Sequence, residues 1–467
     1  MTTSTRLLTR KRFMPLMVTQ FFNAFNDNLY KTALVLFVVY SVYSDERQEA
    51  FFSGLASLLF ITPFVLFSAL AGQLADTRDK AAIIRIVKMC EIGWASLGAA
   101  GLYMAWQGIA VHTVAIPLLL AVVFLAAVQS AFLGPIKYAI LPQHLRKDEV
   151  LPGTGLVEAG TYIAILTGTI IAGFLAEDIE YAIALIVITA IVGYLACRWV
   201  PDAPPQGDHE LHFPLIEPYR EKVQNRLLRW LGYAPVAFAD QVVMSWRLVK
   251  KTRDIREIWY AIMAISFFWT IGAVLFIQFP PLAKNQLLAT PEVASLFLVI
   301  FSVGIAVGSI AVNALLKGEV SARFAPVCVV FMGIFLVGFY FVCRAWTPNP
   351  AGELLPIEQW ILEPLAIPLS LILLGISTAG GMFVVPLYAF LTTRCAPDAA
   401  SRTIAANNIV NSLAMVTGSI VALGMTALGI PVAEQLMFAA LMTVISAWLG
   451  KKLHNAEKEA APARAAV

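Results

Sequence analysis

Charge is what this sequence has least of. Asp, Glu, Lys and Arg make up 13% of its 467 residues, against about 25% in soluble domains. With 59% of residues hydrophobic, there is too little charge to cover a water-exposed surface, which excludes a soluble globular protein. Cysteine is also sparse. Cys90, Cys197, Cys328, Cys343 and Cys395 include no C-x-x-C pair, and four of them lie in or at the ends of apolar runs. They suggest neither a disulfide framework nor a metal site and read as small hydrophobes. His209 and His212 are the only close histidine pair, in a polar stretch, and no metal or other cofactor is expected. H-x-x-x-x-D, G-x-S-x-G, H-E-x-x-H and P-loop motifs are missing, so no enzyme is expected. Nucleic-acid binding is not expected either, because the basic residues follow the loops.

What the sequence does have is long apolar runs. A span needs about 20 such residues. Twelve candidates lie near 13–43, 51–75, 83–106, 113–141, 151–176, 181–200, 257–280, 293–316, 325–343, 364–392, 402–427 and 432–450. The N-terminal stretch Thr2 to Arg12 carries four basic residues. The apolar-rich run after it, about thirty residues, is too long for a signal-peptide core, so it reads as a retained first span. The pattern is a six-helix bundle over 1–200, a polar linker over 201–256 and a second six-helix bundle with a short tail over 257–467. Placing the N-terminus in the cytoplasm puts 29 of the 33 Lys and Arg in cytoplasmic segments. Only Arg47, Lys284 and Arg344 lie outside, and Lys31 is inside a span. By the positive-inside rule both termini are cytoplasmic. In the linker, Ile216, Tyr219, Val223, Leu227 and Trp230 recur at helical spacing opposite Arg220, Lys222, Arg226 and Arg229. This suits an amphipathic helix on the inner membrane surface. Lys250, Lys251, Arg253 and Arg256 then offer a site for anionic membrane lipids, with a plain linker as the simpler alternative.

Two six-span halves joined by a cytoplasmic linker resemble the major facilitator superfamily of secondary transporters. The second loop, GQLADTRDK (Gly72 to Lys80), strengthens the resemblance. Gly72, Leu74, Ala75, Asp76 and Lys80 fit the superfamily's loop motif, whereas Thr77 and Asp79 depart from it. Gly72 would allow close helix approach. Asp76 could face a helix N-terminus or a basic partner, so Gly72, Asp76 and Lys80 are the candidate conformational latch. An ordinary polar turn is the alternative. The counterpart in the second half, Asn313 to Arg323, keeps only its basic ends.

The sharpest feature is FFNAFNDNLYK, residues 21–31. At about 100° per residue, Gln20, Asn23, Asp27 and Lys31 fall within an arc of about 80°. Asn26 flanks this stripe on one side and Asn28 lies further round on the other. A charge at the bilayer centre costs about 2.5–3.5 kcal/mol, so Asp27 and Lys31, spaced i, i+4, are expected to offset each other. The stripe reads as a headgroup or coupling-ion site, or more plainly as a salt-bridged packing face. Gln129, Lys137 and Tyr138 lie on span four around an expected Gly134-Pro135 break. Glu158 lies early in span five, ahead of the small-residue run TGTIIAG. Lys88 and Glu91 are read as snorkelling residues or latch partners. Asn407 and Asn411 share a face of span eleven, and helix packing is an equal reading for them.

FNDNLYKTAL (Phe25 to Leu34), AFLGPIKYAILP (Ala131 to Pro142), LVEAGTYIAILTGT (Leu156 to Thr169) and IAANNIVN (Ile404 to Asn411) resemble a narrower family, the lysophospholipid transporters of bacterial inner membranes. That resemblance implies movement of lysophospholipids such as lysophosphatidylethanolamine from the outer to the inner leaflet. Re-acylation would follow, by an acyltransferase and acyl-carrier-protein synthetase. With the chain ending at Val467, that enzyme is expected to be a separate cytoplasmic partner. Asp27, Asn28, Lys31, Lys137 and Glu158 are the positions the resemblance places against the headgroup. Extra length in the linker and in the 344–363 loop could alter specificity. The expectation is thus an all-α integral membrane protein of twelve transmembrane helices. An exporter of drugs or small metabolites and a non-transporting scaffold for the acyltransferase are the competing readings.

Overall fold

The computed structural model describes residues 7, 10–176, 178–204, 239–240, 242–250, 252–316, 321–347, 353–394 and 400–465. The stretch expected to form the amphipathic linker helix, and with it His209 and His212, lies outside them. Twelve long helices account for most of the described chain. They are α1 (Met14–Phe37), α2 (Glu46–Thr77), α3 (Lys80–Trp106), α4 (Ile116–Ala139), α5 (Lys147–Phe174), α6 (Ile179–Cys197), α7 (Arg256–Pro281), α8 (Pro291–Leu316), α9 (Ala325–Ala345), α10 (Ala366–Thr393), α11 (Ala400–Ala427) and α12 (Val432–Ala465). Each overlaps one expected span. Hydrocarbon imposes this choice, because a helix pairs its backbone groups within itself where no water can.

Among the described residues, nine helices are long and apolar enough to cross a membrane. The remaining three, α1, α3 and α5, carry much of the polarity. Gln20 to Lys31 interrupts α1, and Lys88 and Glu91 sit within α3. The apolar part of α5 shrinks to Ile163–Phe174. Two of them, α1 and α3, supply most of the polar interior described below. The chain is an all-α, multi-pass membrane protein.

One expectation fails locally. α4 runs through Gly134 and Pro135 to Ala139 without a break. Proline removes one backbone donor, but the helix on either side continues.

By their contacts the helices form two compact units. One comprises Met1–Tyr30, Thr62–Gly168 and Glu180–Lys250; the other comprises Lys31–Ile61, Thr169–Ile179 and Lys251–Val467. These units do not follow the chain halves. α1, α2 and α5 each contribute one end to each unit.

In the first unit α3 packs along α4. The second is built around α7, which packs on α11 and α12, and around α10, which packs on α8 and α9. A Cβ on Gly381 would strike the Ile305 carbonyl, so the bare glycine lets α10 lie directly on the α8 backbone. The 344–363 loop is also anchored here. Leu355 N–H donates to the Leu288 carbonyl at 2.7 Å, and its own carbonyl accepts from Thr290 N–H at 3.0 Å. Trp360 is fully buried and stacks on Trp346.

The second unit explains why the end of α1 and the start of α2 join the C-terminal helices. Lys284 lies just beyond Pro280 and Pro281. Its ammonium donates to the Val39 and Tyr43 carbonyls at 2.5 and 2.8 Å and pairs with Glu49 at 2.5 Å. Asn285 donates to the other Glu49 oxygen. Lysine thereby caps the C-terminal end of α1, where carbonyls lack intrahelical donors. Glu49 itself is fully buried. Val432 N–H donates to Glu46 at 3.3 Å, and Arg47 donates to the Ala427 carbonyl.

Lys284→Met strands the Glu49 carboxylate. Breaking a buried pair in this way costs about 3–5 kcal/mol. Thermal unfolding of the purified protein in detergent should show a lowered midpoint, with a smaller loss for the neutral Lys284→Met, Glu49→Gln double variant. A midpoint equal to wild type for Lys284→Met would show the clasp to be without weight.

Candidate functional site

The opening stretch of α1 stays helical although Asn and Asp side chains compete for backbone groups. Asn28 does so, donating to the Ala24 carbonyl one turn back at 2.8 Å. The others pair across to neighbouring helices. α5 lies directly on this part of α1. A Cβ on Gly168 would sit 2.6 Å from the Phe25 carbonyl oxygen and 3.3 Å from Leu29 N. The small-residue run in α5 therefore serves the close packing its composition implied.

One connected set of hydrogen bonds links α1, α3, α4 and α6 in the first unit. Asp27 Oδ2 accepts from Asn23 Nδ2 at 3.2 Å and from the Ser130 hydroxyl. Asn23 Oδ1 accepts from Gln129 Nε2 at 2.6 Å. The same Gln129 amide donates to Glu91 Oε2 at 3.0 Å, which also takes the Lys88 ammonium. Asn26 Nδ2 donates to Glu91 Oε1 at 3.1 Å, and Thr189 on α6 donates to Asn26 Oδ1 at 3.1 Å. Asn26, Lys88 and Glu91 are fully buried, and Asn23, Asp27 and Gln129 are 5–7% exposed.

The set holds two carboxylates and one ammonium. Two of its buried polar atoms, Asp27 Oδ1 and Gln129 Oε1, have no partner among the described residues, and neither has Gln20 Nε2, one turn before Asn23 on α1. Buried polar atoms normally find a partner. An open carboxylate oxygen accepts an N–H or O–H donor, and an open amide N–H suits an oxygen acceptor. The arrangement can therefore hold a ligand bearing both kinds of group. No group of His, Cys, Asp and Glu among the described residues could hold a metal.

The structure thus brings Asn23, Asp27 and Gln129 together. Asp27 and Lys31 have separate partners instead of each other: Lys31 Nζ lies 4.6 Å from the centroid of the Phe60 ring. Lys137 is half-buried at the end of α4. Tyr138 and Glu158 lie on α4 and α5, and their side chains are outside the described residues. Lys88 and Glu91 do not snorkel. They are fully buried, because a charge inside the bundle is cheaper paired than carried through lipid. Their i, i+3 spacing within an apolar stretch was the available signal. Ser130 and Thr189 gave none, since a lone hydroxyl in a span usually bonds its own helix. In the second unit, Asn411 accepts from Ser266 at 2.6 Å and donates to Tyr388 at 3.4 Å. Trp269 also donates to Tyr388, at 2.8 Å. Asn411 thus ties α7, α10 and α11 together. Asn407 is fully buried, and its Oδ1 has no partner among the described residues.

At the loop between α2 and α3, a Cβ on Gly72 would meet nothing within 4 Å. The Asp76 side chain is outside the described residues. Lys80 is buried, and its N–H donates to the Ala203 carbonyl at 3.0 Å. Asp79, which departs from the loop motif, holds two backbone amides. It caps α3 through Ala82 N–H at 2.8 Å and accepts from Ala203 N–H at 3.0 Å. Arg85 donates to the Val200 carbonyl and pairs with Asp202, both at 2.9 Å. The N-terminal arm is held at Glu149, which pairs with Arg10 at 2.9 Å and Arg12 at 2.5 Å.

The Major Facilitator Superfamily profile matches residues 16–419. The chain belongs to that superfamily. Among its relatives is a protein named Lysophospholipid transporter LplT from Photorhabdus laumondii subsp. laumondii. The two are 25% identical over 389 residues, covering 82% of this chain and 80% of the relative. A protein of the same name from Klebsiella pneumoniae subsp. pneumoniae is 24% identical over 460 residues, covering 94% of this chain and 95% of the relative. Among solved structures, an auto-inhibited POT family peptide transporter superposes with a TM-score of 0.65. It is 12% identical and covers 96% of this chain and 97% of its own. That likeness is one of fold. This facilitator is a membrane transporter.

The Arg146 amide, and after it the guanidinium groups of Arg10 and Arg12, hold the Glu149 carboxyl below the usual carboxylate range. A lowered value gives stability that is complete above the ordinary range and lost as pH falls through the lowered one. Melting midpoints of wild type and Glu149→Gln should differ at about pH 7 and converge as the pH falls below the ordinary carboxylate range. A gap that persists in acid would remove the ionised Glu149 from the account.

Proposed function

We propose that this facilitator moves lysophospholipids, such as lysophosphatidylethanolamine, from the outer to the inner leaflet of a bacterial inner membrane. The observation that carries this reading is Asp27. Its carboxylate is buried in the bundle, with one oxygen held by Asn23 and Ser130 and the other open. A donor on the lipid headgroup would complete it, and Gln20 Nε2 offers a donor for phosphate oxygen. The apolar helix faces suit an acyl chain. The names of the relatives and the quoted family stretches support the same substrate class.

Transport would proceed by alternating access, the usual mode for this architecture. The clasp of Lys284 and Glu49 would have to open and reform in each cycle. With both termini in the cytoplasm, the product would reach the leaflet where a separate acyltransferase and acyl-carrier-protein synthetase could restore its second chain. That removal would draw transport forward without a coupling ion.

The test uses purified protein in liposomes carrying fluorescent lysophosphatidylethanolamine in the outer leaflet. Inward movement should be seen for the single-chain lipid and not for its two-chain parent. Asp27→Ala should lower the rate at least about a hundredfold, as expected for losing a hydrogen-bonded charged partner in a dry site. No movement by folded wild-type protein would sink the reading and turn the search to water-soluble substrates.

A further inference from the structure

We infer that the Lys88–Glu91 ion pair positions Asp27 for its ligand, acting through Gln129 and Asn23. This inference rests on the reading of Asp27 as a headgroup-binding residue. Neither member of the pair has any exposed surface, and both Glu91 oxygens already have protein partners, so Glu91 has no unpaired oxygen for a headgroup. Yet the pair is joined to Asp27 by an unbroken series of bonds. Lys88 fixes Glu91, and Glu91 Oε2 takes one Gln129 proton at 3.0 Å. The same Gln129 amide then grips Asn23 Oδ1 at 2.6 Å. That contact decides which way the Asn23 amide faces. Its nitrogen is turned towards Asp27 Oδ2 and Ser130. With Oδ2 occupied, Oδ1 is the oxygen left open.

The fold makes room for this pair. Gly193 on α6 faces Lys88, and a Cβ there would lie 2.8 Å from the ammonium and 2.9 Å from Cε. From the other side of Glu91, Asn26 donates to Oε1, and Thr189 in turn donates to Asn26 Oδ1. Both carboxylate oxygens are therefore committed. A buried ion pair is a poor source of stability, because desolvation offsets most of the attraction. Fixing the geometry of polar neighbours is a role that such a pair can fill.

The test compares three proteins with wild type in the liposome assay. They are the neutral double variant Lys88→Met, Glu91→Gln; Gln129→Leu, which cuts the connection and leaves the pair intact; and Gly193→Ala, which crowds the ammonium and removes no charge. The double variant and Gln129→Leu should raise KM for lysophosphatidylethanolamine about tenfold, with Vmax falling less than KM rises. Gly193→Ala should shift KM in the same direction. An unchanged KM in folded Gln129→Leu protein overturns the inference. If the double variant does not fold, Gln129→Leu decides alone.

A wild type that moves no lysophospholipid defeats the proposed function instead. Positioning is then read without ligand, from melting midpoints of Asp27→Asn, Gln129→Leu and their combination. Shifts that fail to add support the connection, because additivity holds only for independent sites. Shifts that simply add overturn it.

Discussion

A charge inside this bundle must find its partner inside the bundle. Hydrocarbon offers none, and an uncompensated charge there costs several kcal/mol. That constraint organises both compact units. In the first, two carboxylates, one ammonium, several amides and two hydroxyls are combined into a single hydrogen-bonded set. In the second, one lysine takes two helix-end carbonyls and a buried carboxylate together. The apolar majority of the chain supplies the walls, and these few polar residues decide which helix ends meet.

The same constraint separates structural polarity from polarity available to a ligand. Asn411 uses its side chain to tie three helices and has no need of a substrate. Glu91 has both oxygens taken. Asp27 differs, because one of its oxygens is held and the other is open. Function in a transporter needs such an incomplete site, since a site already satisfied by protein groups has nothing to gain from a ligand. The lipid-transport reading therefore stands on Asp27 far more than on the number of polar residues nearby.

Glycine does comparable work on the backbone. Gly168 brings α5 onto the part of α1 that carries Asn23 and Asp27, and Gly193 leaves space for the Lys88 ammonium. Neither needs an unusual backbone conformation. Both matter because helices in lipid are held by close contact and hydrogen bonds, with little help from the hydrophobic effect between them.

The sequence by itself determined the membrane class, the twelve helices and the presence of a polar segment in α1. Those follow from composition, run length and helical period, which are local properties that hydrocarbon makes decisive. It also marked Asn23, Asp27 and Gln129 as candidates. It did not reveal that Lys88 and Glu91 are buried in the same hydrogen-bonded set, that Asp27 takes Ser130 where Lys31 was the expected partner, or that Asp79 accepts from Ala203 N–H. It did not reveal that Lys284 ties the end of α1 to the C-terminal helices. These pairings join residues up to about 245 positions apart, and the period of a single helix carries no information about which neighbour it will face. Tertiary packing chose the partners, and in choosing them it left one oxygen of Asp27 open.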